Sequence, residues 1–207
     1  MARTNAFELS AIDRDGLGLQ VVFAWVDDRY GHSICGIADG QATPLLEANS
    51  ATERYGFPPP PPVQEVVKHQ LEDSRPALLL TGSGEGHYWS GAVTPITDVH
   101  FALLSFDFAC RGARHAPMPV VAYRVAEGVT VEAREPGGLI VLRTADDRAF
   151  KLWAAAIPTS LATENIATCE VSLTRQGVVI KALGSPHVAT RSTVPWKYEI
   201  ALERRPS

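Results

Sequence analysis

The chain has 207 residues, of which 45% are hydrophobic and only 20% charged, and its formal net charge is −4. That much apolar material with so little charge excludes an intrinsically disordered chain. The mildly acidic balance excludes a general nucleic-acid binder, which needs clustered cations against phosphate, and the clusters Arg111/Arg114 and Arg204/Arg205 read as solvated surface.

The opening stretch, MARTNAFELSAIDRDG, holds no unbroken apolar run of the kind a secretory signal carries. No segment approaches the roughly 18 apolar residues of a membrane-spanning helix, so no membrane partner is expected and the cytoplasm is the default location. Cys35, Cys110 and Cys169 are widely spaced and odd in number, which suits reduced, buried thiols better than a disulfide framework. The length fits a single β-rich domain over residues 1–207.

In chain order, Asp13-Arg14-Asp15-Gly16 resembles the start of a calcium loop but lacks the later ligands and reads as a turn. Leu17, Leu19, Val21, Phe23 and Trp25 alternate along one face, and Asp27 to Gly31 turns the chain into His32 to Ala38, predicting a hairpin. Residues 41–62 carry turn formers and end in five consecutive prolines, Pro58 to Pro62. Proline has no backbone donor and presets an extended polyproline conformation, so the expectation is a long loop with a stiff spacer, which could also dock on a partner. Val63 to Glu72 leans to strand over helix, and Asp73 to Pro76 would close it onto the apolar run Ala77 to Thr81.

Gly82 to Trp89 then reads as a glycine-rich, aromatic-tipped loop running into an apolar strand over Val99 to Cys110. Val129, Val131 and Ala133 alternate up to the turn Glu135 to Gly138, Leu139 to Arg143 follows, and Ala145 to Arg148 turns into Phe150 and Leu152, predicting a meander. Cys169, Val171 and Leu173 reverse at Gln176-Gly177 into Val178 to Leu183, and Val194 to Leu202 is a strand with one wet face. Hairpins at this frequency without long helices predict an all-β fold, an antiparallel β-sandwich or partly closed barrel with at most one or two short helices.

Several phrases occur together: Trp25 to His32, Pro44-Leu45-Leu46-Glu47, the prolines followed by Gln64, His87-Tyr88-Trp89-Ser90 and Phe106 to Arg111. Over Leu17 to Arg111 the chain resembles an uncharacterised family of bacterial proteins, a resemblance that implies a bacterial source and transfers no activity, ligand or cofactor.

Chemistry must therefore come from the residues. The glycines of Gly82-Ser83-Gly84-Glu85-Gly86 lack both the ending of a phosphate-binding loop and the spacing of a nucleophile elbow. On one extended strand His100 and Cys110 lie on the order of 33 Å apart and cannot share an ion. His87, Cys110 and His115 remain as an alternative set, for a metal or for a hydrolase or lyase using a thiolate and histidine. No cofactor signature is present.

The sequence favours recognition over catalysis. Tyr88 and Trp89 beside His87, Ser90, Asp107 and Arg111 suit a small polar ligand such as carbohydrate, with Asp107 also able to pair with an arginine such as Arg29. A protein partner, including another copy of the chain through sheet edges, is the other class of binder this reading admits.

Overall fold

The computed structural model describes residues 6–48, 62–84, 86–111, 120–134, 138–157, 166–167, 169–183 and 193–203. The strands are β1 (Phe7–Ile12), β2 (Gly18–Val26), β3 (Arg29–Ala38), β4 (Gln41–Ala48), β5 (Val63–Gln70), β6 (Pro76–Gly84), β7 (His87–Asp98), β8 (Phe101–Arg111) and β9 (Val120–Val125). They continue with β10 (Thr130–Arg134), β11 (Leu139–Arg143), β12 (Ala149–Ala154), β13 (Ala156–Ile157), β14 (Ile166–Ala167), β15 (Cys169–Leu173), β16 (Val178–Ala182) and β17 (Thr193–Glu203).

Two antiparallel sheets pack face to face without closing into a barrel, and the described residues contain no helix. One sheet runs β1-β2-β3-β4-β9-β16-β15 and the other β10-β11-β12-β17-β8-β7-β6-β5, while β13 and β14 form a separate short ladder. The fold is the expected sandwich. Alternation explains its core: Trp196, Tyr198, Ile200 and Leu202 of β17 point inward, as do Ala102, Leu104, Phe106, Phe108 and Cys110 of β8, all buried. Phe106 stacks on Tyr198 at 4.8 Å and Phe108 on Trp196 at 5.3 Å, so the second sheet supplies an aromatic column to the interior. Against it the first sheet sets Leu19, Val21, Phe23 and Ile34.

The ambiguous segment after the prolines is strand β5, paired with β6 as the hairpin reading required. Three expectations need correction. Gln41–Ala48 is not loop but strand β4, joined to β3 by a two-residue turn in which Asp39 (φ 52°) and Gly40 (φ 70°) both adopt left-handed backbone. A bulge beside Ile34/Cys35 gives β4 one extra residue, so Leu45 and Leu46 are consecutive yet both fully buried, and no alternation shows in the sequence. Pro44 is tolerated because β9 pairs with β4 only at Leu46 and Glu47. Residues 49–61, including Pro58 to Pro61, lie outside the described residues.

The second correction concerns the glycine-rich loop. Gly82–Gly84 belong to β6 and pair with Trp89, Tyr88 and His87 of β7, and Gly86 between the two strands has φ +80°. Gly82 is there for space: a Cβ at this position would lie 1.8 Å from the Pro62 carbonyl oxygen, so no other residue lets β5 approach β6 so closely. His100 sits in the exposed turn before β8 and not on the strand. Asp13 does form a turn, with its carboxylate accepting the backbone N–H groups of Asp15 and Leu17.

Candidate functional site

Because Gly82–Trp89 is a hairpin, strand parity sorts the expected ligand residues onto two faces. His87 and Trp89 point inward. Tyr88 and Ser90 point outward, and so do Asp107 and Arg111 of β8, which places four of the six expected residues on one exposed surface. Register there is specific: Tyr88 lies opposite Arg111, Ser90 opposite Ala109, and Ala92 opposite Asp107. Across β8, Arg111 faces Thr193 and Asp107 faces Lys197; across β6, Tyr88 faces Ser83 and Ser90 faces Thr81.

Tyr88 is 69% exposed on this floor of small side chains. Directly opposite residues of antiparallel strands have Cβ atoms about 5 Å apart, so Arg111 borders the ring while Ser90 and Ala109 leave the next row low. Neither the Arg111 guanidinium nor the Ser90 hydroxyl has a hydrogen-bond partner among the described residues. Asp107 is exposed as a residue, yet packing around its carboxyl raises its pKa above the ordinary value, an effect that the Lys197 ammonium opposes. The expected Asp107 pair with Arg29 is absent: Arg29 binds Asp28 at 2.8 Å in the β2–β3 turn.

The inward residues build a wall. Trp89 meets Trp196 edge to face at 5.5 Å, and buried His87 lies 5.9 Å from Trp89. Trp89 is thus an anchor of the hairpin and not a rim residue. The indole N–H groups of Trp89 and Trp196 are buried without an acceptor among the described residues.

Cys110, opposite Trp89, is 2% exposed, and burial pushes its thiol up to about 11. It is protonated at neutral pH and thus a poor nucleophile and metal ligand. His115, the third member of that set, lies outside the described residues. Among the described residues no group of three or more His, Cys, Asp and Glu side chains has the geometry to hold a metal.

Two features had escaped the sequence reading. Inside the sandwich, His32 Nε2 lies 2.6 Å from the Tyr123 hydroxyl, which lies 2.6 Å from the Tyr198 hydroxyl, linking β3, β9 and β17. All hydroxyl protons find acceptors when Tyr198 donates to Tyr123 and Tyr123 donates to His32. Burial holds His32 neutral, with its pKa lowered to about 4, and raises both tyrosines. On the outer face of the other sheet, a shallow groove of about 160 Å³ is lined by Val22, Ala24, Val26, Gly31 and Ser33 and ends at Glu47, whose carboxylate binds Arg124. Alternation marks His32 and Tyr198 as inward, but their meeting depends on pairing between distant strands.

No family model matches the chain, and neither curated proteins nor solved structures yield a match.

Proposed function

We propose that this protein is a non-enzymatic binding module whose recognition surface is the outer face of the eight-stranded sheet around Tyr88, and that its ligand is a small polar molecule of the carbohydrate class. The observation that carries the reading is Tyr88, a residue 69% exposed and bordered by Arg111, with the hydroxyls of Ser83, Ser90 and Thr81 and the Asp107 carboxylate on the same face. Sugars present apolar C–H faces that stack on aromatic rings and hydroxyl rims that need donors and acceptors beside the ring, and this surface offers both.

Three free, buried cysteines support a reducing compartment, and we place the protein in the cytoplasm. No helix among the described residues is long and apolar enough to cross a membrane. A homo-oligomer joined through sheet edges would have to use strands such as β5, where Glu65, Lys68 and His69 are exposed and disfavour edge pairing. The hydrolase or lyase alternative would have to ionise the buried Cys110 thiol.

The test is a glycan array probed with the native chain and with Tyr88→Ala, followed by calorimetry on any hit. Loss of roughly tenfold or more in affinity on removing the ring supports the reading. A hit indifferent to Tyr88, or no hit on the array, overturns it.

A further inference from the structure

Among the described residues, the ligand face carries a cation, Arg111, that no described acid pairs. Arg111 is exposed at the end of β8, and among the described residues no carboxylate or hydroxyl bonds its guanidinium. Register keeps the nearest described acids of this face away. Asp107 lies four residues along the same strand, roughly 13 Å distant and beside Lys197. Glu65 lies two strands from Ser90, roughly 10 Å away, and accepts the Thr81 hydroxyl at 2.9 Å. Among the described residues, the cation bordering the Tyr88 ring therefore has no acid beside it, in a chain of net charge −4.

Resting on the reading of this face as a carbohydrate site, we propose that the ligand is an acidic saccharide, one sugar ring of which bears a carboxylate. The ring lies on Tyr88 and its carboxylate is taken by the Arg111 fork, whose paired N–H donors match the two carboxylate oxygens. Ser90 and Thr81 then face the hydroxyl rim. Asp107 and Lys197, farther along the face, supply an acceptor and a donor for the hydroxyls of a neighbouring sugar unit. The acid at Asp107 also sets direction, because a carboxylate placed at that end would meet like charge, and only the Arg111 end accepts one.

The experiment compares two matched pairs by calorimetry on the full chain: trigalacturonate against galactotriose, and sialyllactose against lactose. The expected result is at least tenfold tighter binding of one acidic probe than of its neutral counterpart, weakening as salt is raised. Arg111→Ala should remove about 10- to 100-fold of the acidic affinity and weaken the neutral probe by a clearly smaller factor, so that the acid preference collapses, while Arg111→Lys restores part of the loss. Equal binding of acid and neutral probes, with both lost in Tyr88→Ala, overturns the acidic preference and leaves the carbohydrate reading standing. Acid preference unchanged in Arg111→Ala overturns the assignment to Arg111. Failure of all four probes overturns this proposal, whereas the broader reading falls only with the glycan array. Circular dichroism of each variant confirms that these surface substitutions leave the sandwich folded.

Discussion

Replacing Tyr123 by Phe removes one oxygen from the centre of the molecule and leaves the ring in place. That oxygen is shared by His32 and Tyr198 at 2.6 Å each, and no other hydroxyl reaches either group in the described structure. The variant keeps Tyr198 O–H without an acceptor and His32 Nε2 without a donor, both in an apolar interior bounded by Phe23 and Phe106. An orphaned buried polar group costs about 1–3 kcal/mol, so a substitution that orphans both should cost about 2–6 kcal/mol, a large part of a typical domain's stability. Tyr198→Phe alone orphans no donor, because Tyr123 can still donate to His32, and it should cost about 1 kcal/mol. Added to Tyr123→Phe, it removes one of the two orphans and should be neutral or stabilising. Urea unfolding followed by tryptophan fluorescence measures all four proteins, with equal slopes required so that the midpoints report stability. Strict additivity of the two substitutions, or a cost below about 0.5 kcal/mol for Tyr123→Phe, refutes a connected network.

The same network predicts a pH dependence. His32 is neutral when folded, with a pKa near 4 against 6.5 when unfolded, so the unfolded chain binds the extra proton between these values. Stability should be fully present above about pH 6.5 and fall by about 3 kcal/mol on acidification to pH 4, and a His32→Gln variant should flatten that slope in urea titrations. Gly36→Ala should destabilise by about 1–3 kcal/mol, since the new Cβ would sit 2.5 Å from the Phe150 ring, a cost read in thermal melts. Cys110 and Cys169, both with thiols pushed up to about 11, should react with a disulfide reagent at pH 8 far more slowly in the native protein than in denaturant. Fast native labelling of Cys110 would contradict its burial.

Much of the sandwich was legible because alternation is a local signal. The β2–β3 and β15–β16 hairpins, the β10–β12 meander and β17 all follow from period-two patterns bounded by turn residues. Strand β4 was not, because its bulge places Leu45 and Leu46 side by side and the segment was read with the turn formers and the proline run Pro58 to Pro62 that follow it. The signal that would have found it is Asp39-Gly40, the pair of residues that tolerate left-handed backbone at both positions of a tight hairpin turn.

The geometry of the candidate site was half legible. The reading of residues 82–89 as loop hid the parity that sends Tyr88 outward and Trp89 inward, and glycine's low strand propensity encouraged that error where Gly82 in fact answers the approach of Pro62. Asp107 and Arg111 were correctly placed on one face of their strand, but their alignment with Ala92 and Tyr88 depends on a pairing register between β7 and β8 that alternation alone does not fix.

The most direct test of a ligand face around Tyr88 is amide chemical-shift mapping with the tightest saccharide found on the array. A ligand seated there should give saturable shifts confined to residues 81–83, 88–90, 107–111 and 193–197, with the Trp89 and Trp196 indole signals unmoved because those rings face the other way. Shifts centred on the indoles, or on Gly31 and Glu47 of the opposite sheet, would contradict it.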